Sequence, residues 1–586
     1  MKRIALFALA AAGLAACATP SPAPPATAAA PMPAPAPVRP AMAAPEMAAD
    51  LVLRGGRVFL ADDAGTVTQA VAVRDGRVVA AGTDTKVAPL VGERTQVVEL
   101  AGRLVTPGFN DSHIHFAEGG MSLLEVKLNG ATSLAEIERR LAAGVAQAQP
   151  GEWVLGGGWD QTRLPKSELG ADGWPSREVL DRAAPNNPVY LSRVDGHTGW
   201  ANRRALELAG IGPRTRAPAG GEIVRDPRTG EATGILKESA TGLVESRIPA
   251  PTEARVCRGV RAALDMAART GVTSVQTSAS PTDVQVYRAL RDADSLTVRV
   301  YAWLPLQMQN IRAFRSLGIT AGYGDDWLRL GMLKAYADGT LGSRTAYMLE
   351  PFSDDPHTRG LPQHSDAEMD SLVTAADAAG LQVIVHAIGD AANRQVLNAF
   401  EHAARVNGTT GRRHRIEHAQ VLDAADIPRF AKLGVIASMQ PTHATSDMRW
   451  AETRIGHARA VEGAYAWRSL LNAGAKVIFG TDFSVEPMAP VEGVYSAVTR
   501  QSREEPGTPP GGWLPEQKLT REEAIRLYTA ASAYGEWQEA KKGTLRPGML
   551  ADLVVWDRDL LTVPEAEILK ATPDLTVVAG RVVFRK

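Results

Sequence analysis

Two histidines separated by one residue, His113 and His115, are the first side chains in this sequence that suit chemistry at a metal. They end the run 105–115, in which an apolar, β-prone segment leads into the turn signal Pro107-Gly108. Successive side chains of a strand point to opposite faces, so we expect both imidazoles on one face. Two adjacent imidazoles suit a divalent transition metal. The pattern alone is a weak signal and leaves a structural or surface role open.

Further residues that bind metals or move protons stand in or at the end of predicted strands. They are Lys334 within 328–336, His386 at the end of 381–386, His418 at the end of 414–418 and Asp482 at the end of 475–482. More predicted strands cover 271–277, 296–302 and 434–440. With the strand that leads to His113, about eight strands alternate with helical stretches, which predicts a parallel sheet.

Eight parallel strands that alternate with helices predict a (β/α)8 TIM-like barrel, an α/β fold whose active site lies at the carboxyl ends of the strands. The candidate residues fall at those ends. A doubly wound open sheet is the competing architecture, although no Gly-x-Gly-x-x-Gly turn follows the first strand.

The two ends of the chain share a pattern of short alternating strands. It appears at 51–59 and 70–79, around the hairpin signal Asp75-Gly76, and again at 551–556 and 575–584. We expect 49–105 and 545–586 to pair into one small β-sandwich domain, the alternative being two unrelated β segments. The barrel then occupies 106–544, and the long stretch at about 120–265 is predicted to be an insertion that covers the active site.

The start of the chain has the pattern of an export signal. A basic beginning precedes an apolar run too short to span a bilayer, and residues 1–17 end in Leu14-Ala-Ala-Cys17, which resembles a bacterial lipobox. The resemblance implies lipid attachment to Cys17, and a plain signal peptide is the alternative. Residues 18–48, rich in Ala and Pro, are predicted to be a disordered tether. We therefore expect a lipoprotein on the periplasmic or cell-surface face of a bacterial membrane, with the outer membrane favoured.

Composition narrows the classes of partner and of metal site. The 586 residues carry 64 Lys and Arg against 65 Asp and Glu, a formal net charge of −1, which argues against a nucleic-acid binder. Contact with a membrane is expected only through the lipid anchor. Two cysteines, Cys17 and Cys257, cannot build a cysteine-based metal cluster. A metal site must therefore use His, Asp, Glu or a modified Lys.

Several motifs, in order along the chain, resemble the amidohydrolase superfamily. They are 106–115, Val385-His-Ala-Ile-Gly-Asp390, Arg415-Ile-Glu-His-Ala-Gln420 and Gly480-Thr-Asp-Phe483. Two more, 195–202 and 334–344, resemble its YtcJ-like branch, which includes N-substituted formamide deformylases. The resemblance covers nearly everything from about residue 50 to the end. It implies a metal-dependent hydrolase with a TIM-like barrel and does not indicate the substrate.

By position, the resemblance implies ligands for one or two divalent metal ions. His113 and His115 match the first-strand ligands, and His386 and His418 match the fifth- and sixth-strand ligands. Asp482 matches the aspartate that touches metal and takes the proton of the attacking water. Taken alone, His386 also fits a core histidine, His418 a surface residue and Asp482 a helix cap. Without cysteine ligands zinc is the expected metal, while manganese and iron stay open.

Lys334 matches the position at which binuclear members carry a carboxylated lysine that bridges both metals. A carbamate formed with CO2 offers two oxygens, and its formation needs an unprotonated amine, which burial beside cations favours. The alternative is an ordinary lysine that projects into the pocket or pairs with Asp338. Lys334 and Asp482 are thus expected at the reaction centre, where metal-activated hydroxide attacks the substrate.

Weaker predictions concern contacts with the substrate. His443, at the end of the predicted seventh strand, is expected to orient the substrate or stabilise an oxyanion, with a structural role open. Further expected contacts with the substrate are His197, Trp159 and Arg344. A turn-stabilising role for the histidine and core packing for the tryptophan are the alternatives.

The sequence therefore predicts a metal-dependent hydrolase that cleaves a non-peptide C–N bond in a small linear amide, N-acyl or N-formyl compound. Two alternatives stay open: a mononuclear deaminase or cyclic-amidase-like hydrolase, and a non-catalytic periplasmic binding lipoprotein. A binding protein predicts a degenerate ligand set, whereas all the expected ligand positions are filled here. The expected partner is the amide substrate, and a homodimer is an open expectation.

Overall fold

The computed structural model describes residues 48–170, 173–193, 198–218 and 221–586. The chain divides into two compact units. The first unit joins the described residues up to Ala117 with Ala263–Lys586, and the second is Glu118–Ala262. All six predicted metal-binding residues belong to the first unit. Cys17 and His197 lie outside the described residues, so their predicted roles stay predictions.

Eight parallel strands of the first unit form the barrel. In chain order, which is also their spatial order, they are Phe109–Ile114, Val272–Ser278, Arg299–Pro305, Leu328–Tyr336, Gln382–Ala387, Arg415–His418, Ile436–Met439 and Lys476–Phe479. Backbone hydrogen bonds from His115 N to Phe483 O (2.7 Å) and from Asp482 N to His113 O (2.8 Å) join the first strand to the chain after the eighth. This nearly closed barrel confirms the predicted α/β fold.

The first barrel strand begins at a point of close packing. A Cβ on Gly108 would lie 2.2 Å from Thr273 Oγ1, beside the start of the second strand. Only glycine therefore allows the two strands to approach at this point. Every residue of Phe109–Ile114 is buried. The strand consequently presents His113 inside the barrel rather than at its surface.

Helices alternate with the barrel strands. The helices before the second barrel strand are Asp84–Val87, Phe116–Leu123 and Glu253–Thr270. Those after it are Pro281–Asp292, Met308–Ser316, Asp366–Ala378, Asp390–Asn407, Ile427–Leu433, Pro441–Asp447, Ala451–Ile455, His457–Gly463, Trp467–Asn472, Pro490–Thr499, Arg521–Leu527, Ala530–Tyr534 and Glu565–Ile568. Ser280, Ser365 and Thr520 each begin a helix with a capping box, which satisfies backbone N–H groups of the first turn. Among the described helices, none is long and apolar enough to cross a membrane.

Strands from both chain ends pair in one six-stranded sheet. Its order is Arg581–Arg585, Pro573–Val578, Leu553–Trp556, Leu104–Pro107, Arg57–Phe59 and Val67–Thr68. A four-stranded sheet has the order Arg77–Gly82, Ala70–Arg74, Leu51–Arg54 and Gln96–Glu99. Leu53, Val73, Leu553 and Val577 are among the buried residues of the shared core. The hairpin turn has positive φ at Asp75 (49°) and Gly76 (71°), as its Asp-Gly sequence predicts.

The second unit has its own six-stranded sheet. The order is Gly221–Arg225, Ala232–Glu238, Thr198–Ala201, Val189–Arg193, Val154–Trp159 and Val126–Lys127, with helices Leu134–Val145, Glu178–Ala183, Arg203–Leu208 and Gly242–Glu245. Its core contains Trp159, Leu191 and Trp200. The unit occupies the part of the sequence assigned to an insertion at about 120–265. That it covers the active site stays a prediction.

Candidate active site

One cavity in the first unit brings the predicted metal-binding residues together. It has a volume of about 400 Å³. The residues that line it include His113, His115, Lys334, His386, His418 and Asp482. His443, predicted to contact the substrate, lines the same cavity. These residues come from the first, fourth, fifth and sixth barrel strands and from the segments after the first, seventh and eighth, so the carboxyl end of the barrel carries the site.

The backbone is strained where the sixth and eighth strands end. His418, Ala419 and Asp482 have φ values of 74°, 44° and 59°, in the left-handed region that residues other than glycine rarely adopt. Such conformations cost about 1–3 kcal/mol each and persist only where the surroundings enforce them. Here the strained turns direct His418 and Asp482 into the cavity.

His113 is held from several sides inside the barrel. Its Nδ1 lies 2.6 Å from Glu417 Oε2, off the straight line of an ideal hydrogen bond, and its Nε2 lies 2.9 Å from Lys334 Nζ. The Trp303 ring stacks on the imidazole at a centroid distance of 5.0 Å. Burial, followed by the nearby Lys334, lowers the pKa of His113 well below its usual value. The imidazole is therefore neutral, the form that binds metal.

Three other imidazoles each place one ring nitrogen against a polar group of the protein. His115 Nδ1 lies 3.2 Å from Ser278 Oγ, His386 Nε2 donates to Gly339 O (3.0 Å), and His418 Nδ1 lies 2.8 Å from Gln440 Oε1. Burial lowers the pKa of His386 to about 4 and holds that of His418 well below its usual value. Fixing one nitrogen of a neutral imidazole leaves the other to act as a ligand, which is how metal-binding histidines are oriented.

Asp482 is shared by two groups of potential ligands. One group is His113, His115 and Asp482, and the other is His418, His443 and Asp482; in each group the ligand atoms lie within 4.8 Å of one another. Asp482 Oδ1 is 3.7 Å from His113 Nε2 and 3.5 Å from His115 Nε2, whereas Oδ2 is 3.7 Å from His443 Nε2. Burial raises the pKa of Asp482. Nitrogen and carboxylate donors at this spacing fit divalent transition metals.

Lys334 is buried beside these ligands. It is 4% exposed, and its ammonium lies 5.5 Å from the ring centre of Trp303 and 5.0 Å from that of Tyr336. Burial lowers the pKa of Lys334 to about 8. The amine is therefore more easily deprotonated than an exposed lysine, as carbamate formation requires.

His443 lies in the helix Pro441–Asp447, after the seventh strand rather than at its end. Its Nδ1 lies 3.3 Å from Gln420 Nε2, and its ring stacks on His418 with centroids 5.9 Å apart. Nε2 is buried and has no hydrogen-bond partner among the described residues. A buried donor of this kind in a cavity wall is available to a substrate oxygen.

Two predicted substrate contacts do not reach the cavity. Trp159 is completely buried in the core of the second unit and its Nε1 donates to Leu191 O, so the prediction of a substrate contact is wrong. Arg344 is not among the residues lining the cavity; its Nε and Nη2 donate to Asp354. A large tryptophan in a core and an arginine committed to a carboxylate follow ordinary packing and pairing rules.

Sequence reasoning did not single out Glu417, Gln420 or Asp447, although all three lie in or beside the site. Glu417 had a signal that could be used, because a carboxylate between Arg415 and His418 in a buried strand needs a partner. Gln420 is close to His443 only because the strained turn after the sixth strand brings it there. Asp447 depends on the helix after the seventh strand, which the sequence pattern did not predict.

Comparisons with known proteins agree with this geometry. A family model described as "Amidohydrolase family" matches residues 96–584. The chain belongs to the amidohydrolase family. The putative amidohydrolase YtcJ of Bacillus subtilis is 32% identical over 542 residues, 91% of this chain and 99% of that protein. An N-substituted formamide deformylase of Arthrobacter pascens is 27% identical over 546 residues, 91% of this chain and 97% of that protein.

A solved structure supports the same assignment. An uncharacterized metal-dependent hydrolase from Pyrococcus furiosus has a TM-score of 0.71 and 29% identity, and the match covers 87% of this chain and 100% of that chain. This amidohydrolase is accordingly a metal-dependent hydrolase with a TIM-like barrel, as the motifs predict.

Proposed function

We propose that this amidohydrolase cleaves a non-peptide C–N bond in a small linear amide, N-acyl or N-formyl compound. The observation that carries the proposal is the convergence of four imidazoles, Asp482 and Lys334 on one cavity. The deformylase relative, which is named for N-substituted formamides, supports this bond type. A cavity of about 400 Å³ suits a small molecule.

The two groups of potential ligands around Asp482 support a site for two metal ions. We propose that His113 and His115 hold one divalent ion, that His386 and His418 hold a second, and that Asp482 is shared. Zinc is our first assignment because all the nitrogen donors at these positions are imidazoles. When bound, such ions lower the pKa of water and polarise a substrate carbonyl.

In this proposal Lys334 would carry a carbamate, whose two oxygens would help to hold the two ions. Its neutral amine attacks CO2, forms an N–C bond and releases one proton, which leaves an anion with two oxygens. Burial that lowers the pKa of Lys334 to about 8 supports this reaction, since an appreciable fraction of the amine is then neutral near pH 8. Burial lowers the pKa of the adjacent His113 well below its usual value, so that ring does not retain the released proton.

Asp482 and His443 handle the proton and the oxygen of the substrate. Asp482 takes a proton from the attacking water and returns it to the leaving nitrogen, a role supported by burial that raises its pKa. His443 Nε2, which is buried beside Asp482, donates a hydrogen bond to the carbonyl oxygen as negative charge develops there. Gln420, 3.3 Å from His443 Nδ1, keeps that ring nitrogen occupied.

Replacement of Asp482 tests the hydrolase proposal against a binding-protein role. Asp482→Asn is expected to lower kcat on a cleaved amide by about 10²–10⁴-fold, because proton transfer to the leaving nitrogen is lost. Asp292→Asn, which changes an exposed carboxylate beside Arg291, is the control and is expected to keep activity. A wild-type protein that binds amides tightly but hydrolyses none of a broad amide panel contradicts the proposal.

We further propose that the protein is exported and anchored by lipid on Cys17, as the lipobox-like sequence before it indicates. Metabolic labelling with a radioactive fatty acid tests this. The full chain is expected to incorporate label and Cys17→Ser is expected to lose it, whereas label that survives the substitution contradicts the proposal.

A further inference from the structure

The walls of the cavity, apart from the metal-binding residues, are mainly apolar and acidic. Leu341, Ile388 and Trp450 contribute apolar surface. Two carboxylates, Asp447 and Glu486, also line the cavity. Among the described residues that line it, Lys334 is the only Lys or Arg, and it belongs to the proposed metal centre. The described lining therefore offers no separate Lys or Arg to a negatively charged part of a substrate.

The two carboxylates differ in how far they are neutralised. Glu486 Oε2 accepts a hydrogen bond from Arg503 Nη2 (2.7 Å), and its Oε1 accepts one from Ser446 Oγ (2.5 Å). Arg503 also pairs with Glu492 at 2.5 Å. Glu486 is thus part of a compensated charge network.

Asp447 has no such compensation. Its Oδ2 accepts a hydrogen bond from Tyr465 OH. No Lys or Arg among the described residues forms an ion pair with it. Burial raises its pKa, so the ionised carboxylate is stabilised by a cation that binds in the cavity. Burial raises the pKa of Tyr465 well above its usual value, so the phenol remains a neutral donor. The side chain is half-buried, where an ion pair with a ligand is stronger than at an open surface.

Asp447 lies close to His443 in the sequence and on the same side of one helix. Both belong to the short helix Pro441–Asp447 and are four residues apart, which puts them on one face about 5–6 Å apart at their Cβ atoms. Both line the cavity, and His443 is 8% exposed with its Nε2 lacking a partner. One ligand can therefore place a carbonyl oxygen at His443 and another group at Asp447, one helical turn away.

We propose that the substrate carries an ammonium or guanidinium group that binds Asp447 while its amide oxygen faces His443. This inference rests on the proposed amide hydrolysis and names the class of substrate for that site. An N-acyl or N-formyl derivative of a diamine fits the arrangement, with the second amine protonated. An N-acyl amino acid does not, because its carboxylate meets Asp447 and no free cation.

Three formamides that differ only in their end group test the preference. N-formyl-1,4-diaminobutane ends in an ammonium, N-formylpentylamine ends in a methyl group and N-formyl-5-aminopentanoate ends in a carboxylate. We expect kcat/KM for the full-length metal-loaded protein to be about tenfold or more higher for the cation than for the neutral compound, and lowest for the anion. Equal values, or a preference for the neutral or anionic compound, overturn the proposal.

Two variants test whether Asp447 causes the preference for the cationic formamide. Asp447→Asn keeps an oxygen acceptor for Tyr465 OH and is expected to bring the cation-to-neutral ratio of kcat/KM close to one. Glu401→Gln, which removes a carboxylate that pairs with Arg429 away from the cavity lining, is expected to preserve the ratio. A ratio that survives Asp447→Asn overturns the assignment. If Asp447→Asn does not fold, the order of the wild-type kcat/KM values for the three formamides still tests whether the site prefers a cation.

Binding measurements separate this inference from the proposed function. Calorimetry with the same three formamides reports affinity even if none is cleaved. Charge-ordered binding without turnover contradicts the proposed reaction and retains the inference. Turnover at rates that do not depend on the charge of the end group supports the proposed reaction and contradicts the inference about Asp447. Neither binding nor turnover of any of the three overturns both.

Discussion

Glu417 Oε2 lies 2.6 Å from His113 Nδ1, and neither side chain is exposed to solvent. The second carboxylate oxygen lies 2.8 Å from Arg415 Nε, and Arg415 Nη2 donates to Ser112 O at 2.5 Å. A buried ion pair of this kind is stable only when its charges are mutually compensated. Here Glu417, held by Arg415, fixes the imidazole of His113 so that Nε2 faces the proposed metal centre. Glu417 is thus a positioning residue that acts through His113.

Replacing Glu417 is expected to weaken metal binding. Glu417→Gln removes the charge beside His113 Nδ1, and the affinity for the metal is expected to fall about 10–100-fold. Competition with a chromophoric chelator measures this directly, independently of turnover. Glu539→Gln, at a more exposed pair with Arg413, serves as the control. Unchanged metal affinity in a folded Glu417→Gln protein contradicts the positioning role.

Loss of His443 is expected to affect turnover rather than metal content. His443→Gln removes the buried donor in the cavity wall, and kcat is expected to fall about 10²–10³-fold, the usual effect of removing one hydrogen-bond donor to a developing oxyanion. Elemental analysis of the same sample is expected to give the wild-type metal content. A large loss of metal instead shows that His443 is a ligand, as its grouping with His418 and Asp482 also allows.

Formation of the Lys334 carbamate is expected to depend on pH. The pKa of Lys334 is lowered by burial to about 8, so the reactive neutral amine is scarce well below pH 8 and abundant above it. At a constant CO2 pressure, the initial rate of reactivation of metal-stripped protein is therefore expected to rise as pH increases from about 6.5 to 9. Lys334→Gln supplies the control and is expected to show no response to CO2. A wild-type rate that is independent of CO2 contradicts the carbamate.

The barrel and the terminal sheets are expected to depend on a buried ion pair. Arg299 Nε and Nη2 lie 2.6 and 2.9 Å from the Asp552 carboxylate, and both side chains are 5% exposed. Asp552→Ala leaves Arg299 buried without its partner and is expected to lower the free energy of unfolding by about 3–5 kcal/mol. Urea unfolding measures this loss. The comparison variant is Asp265→Ala at the exposed pair with Arg269, for which a loss of about 1 kcal/mol or less is expected. Equal losses in the two variants contradict a structural role for the buried pair.

Periodicity predicted the elements that local sequence determines. The strand Leu328–Tyr336 has the predicted bounds, and the Asp75-Gly76 turn joins two paired strands as expected. Each depends on alternation or on the backbone freedom of a turn residue, which neighbouring residues encode. The ends of strands were less predictable: Asp482 follows a strand that stops at Phe479 because the chain turns there to meet the first strand.

Contacts between distant segments could not be predicted in this way. Trp159 belongs to a core whose other members come from several strands, and Arg344 is committed to Asp354 ten residues later. Glu417 and His113 are 304 positions apart in the sequence. Only the closed barrel places their strands so that one side chain can orient the other.

Metal content tests the central claim most directly. The full chain, purified without chelators and then supplied with zinc and CO2, is measured for bound metal by elemental analysis. The two-ion centre predicts about two equivalents of transition metal per chain in the wild type and a loss of the second equivalent in Lys334→Ala. One equivalent in both proteins contradicts the bridging role of Lys334 and favours a mononuclear hydrolase. No bound metal, even after supply of zinc or manganese, contradicts the whole account of the site.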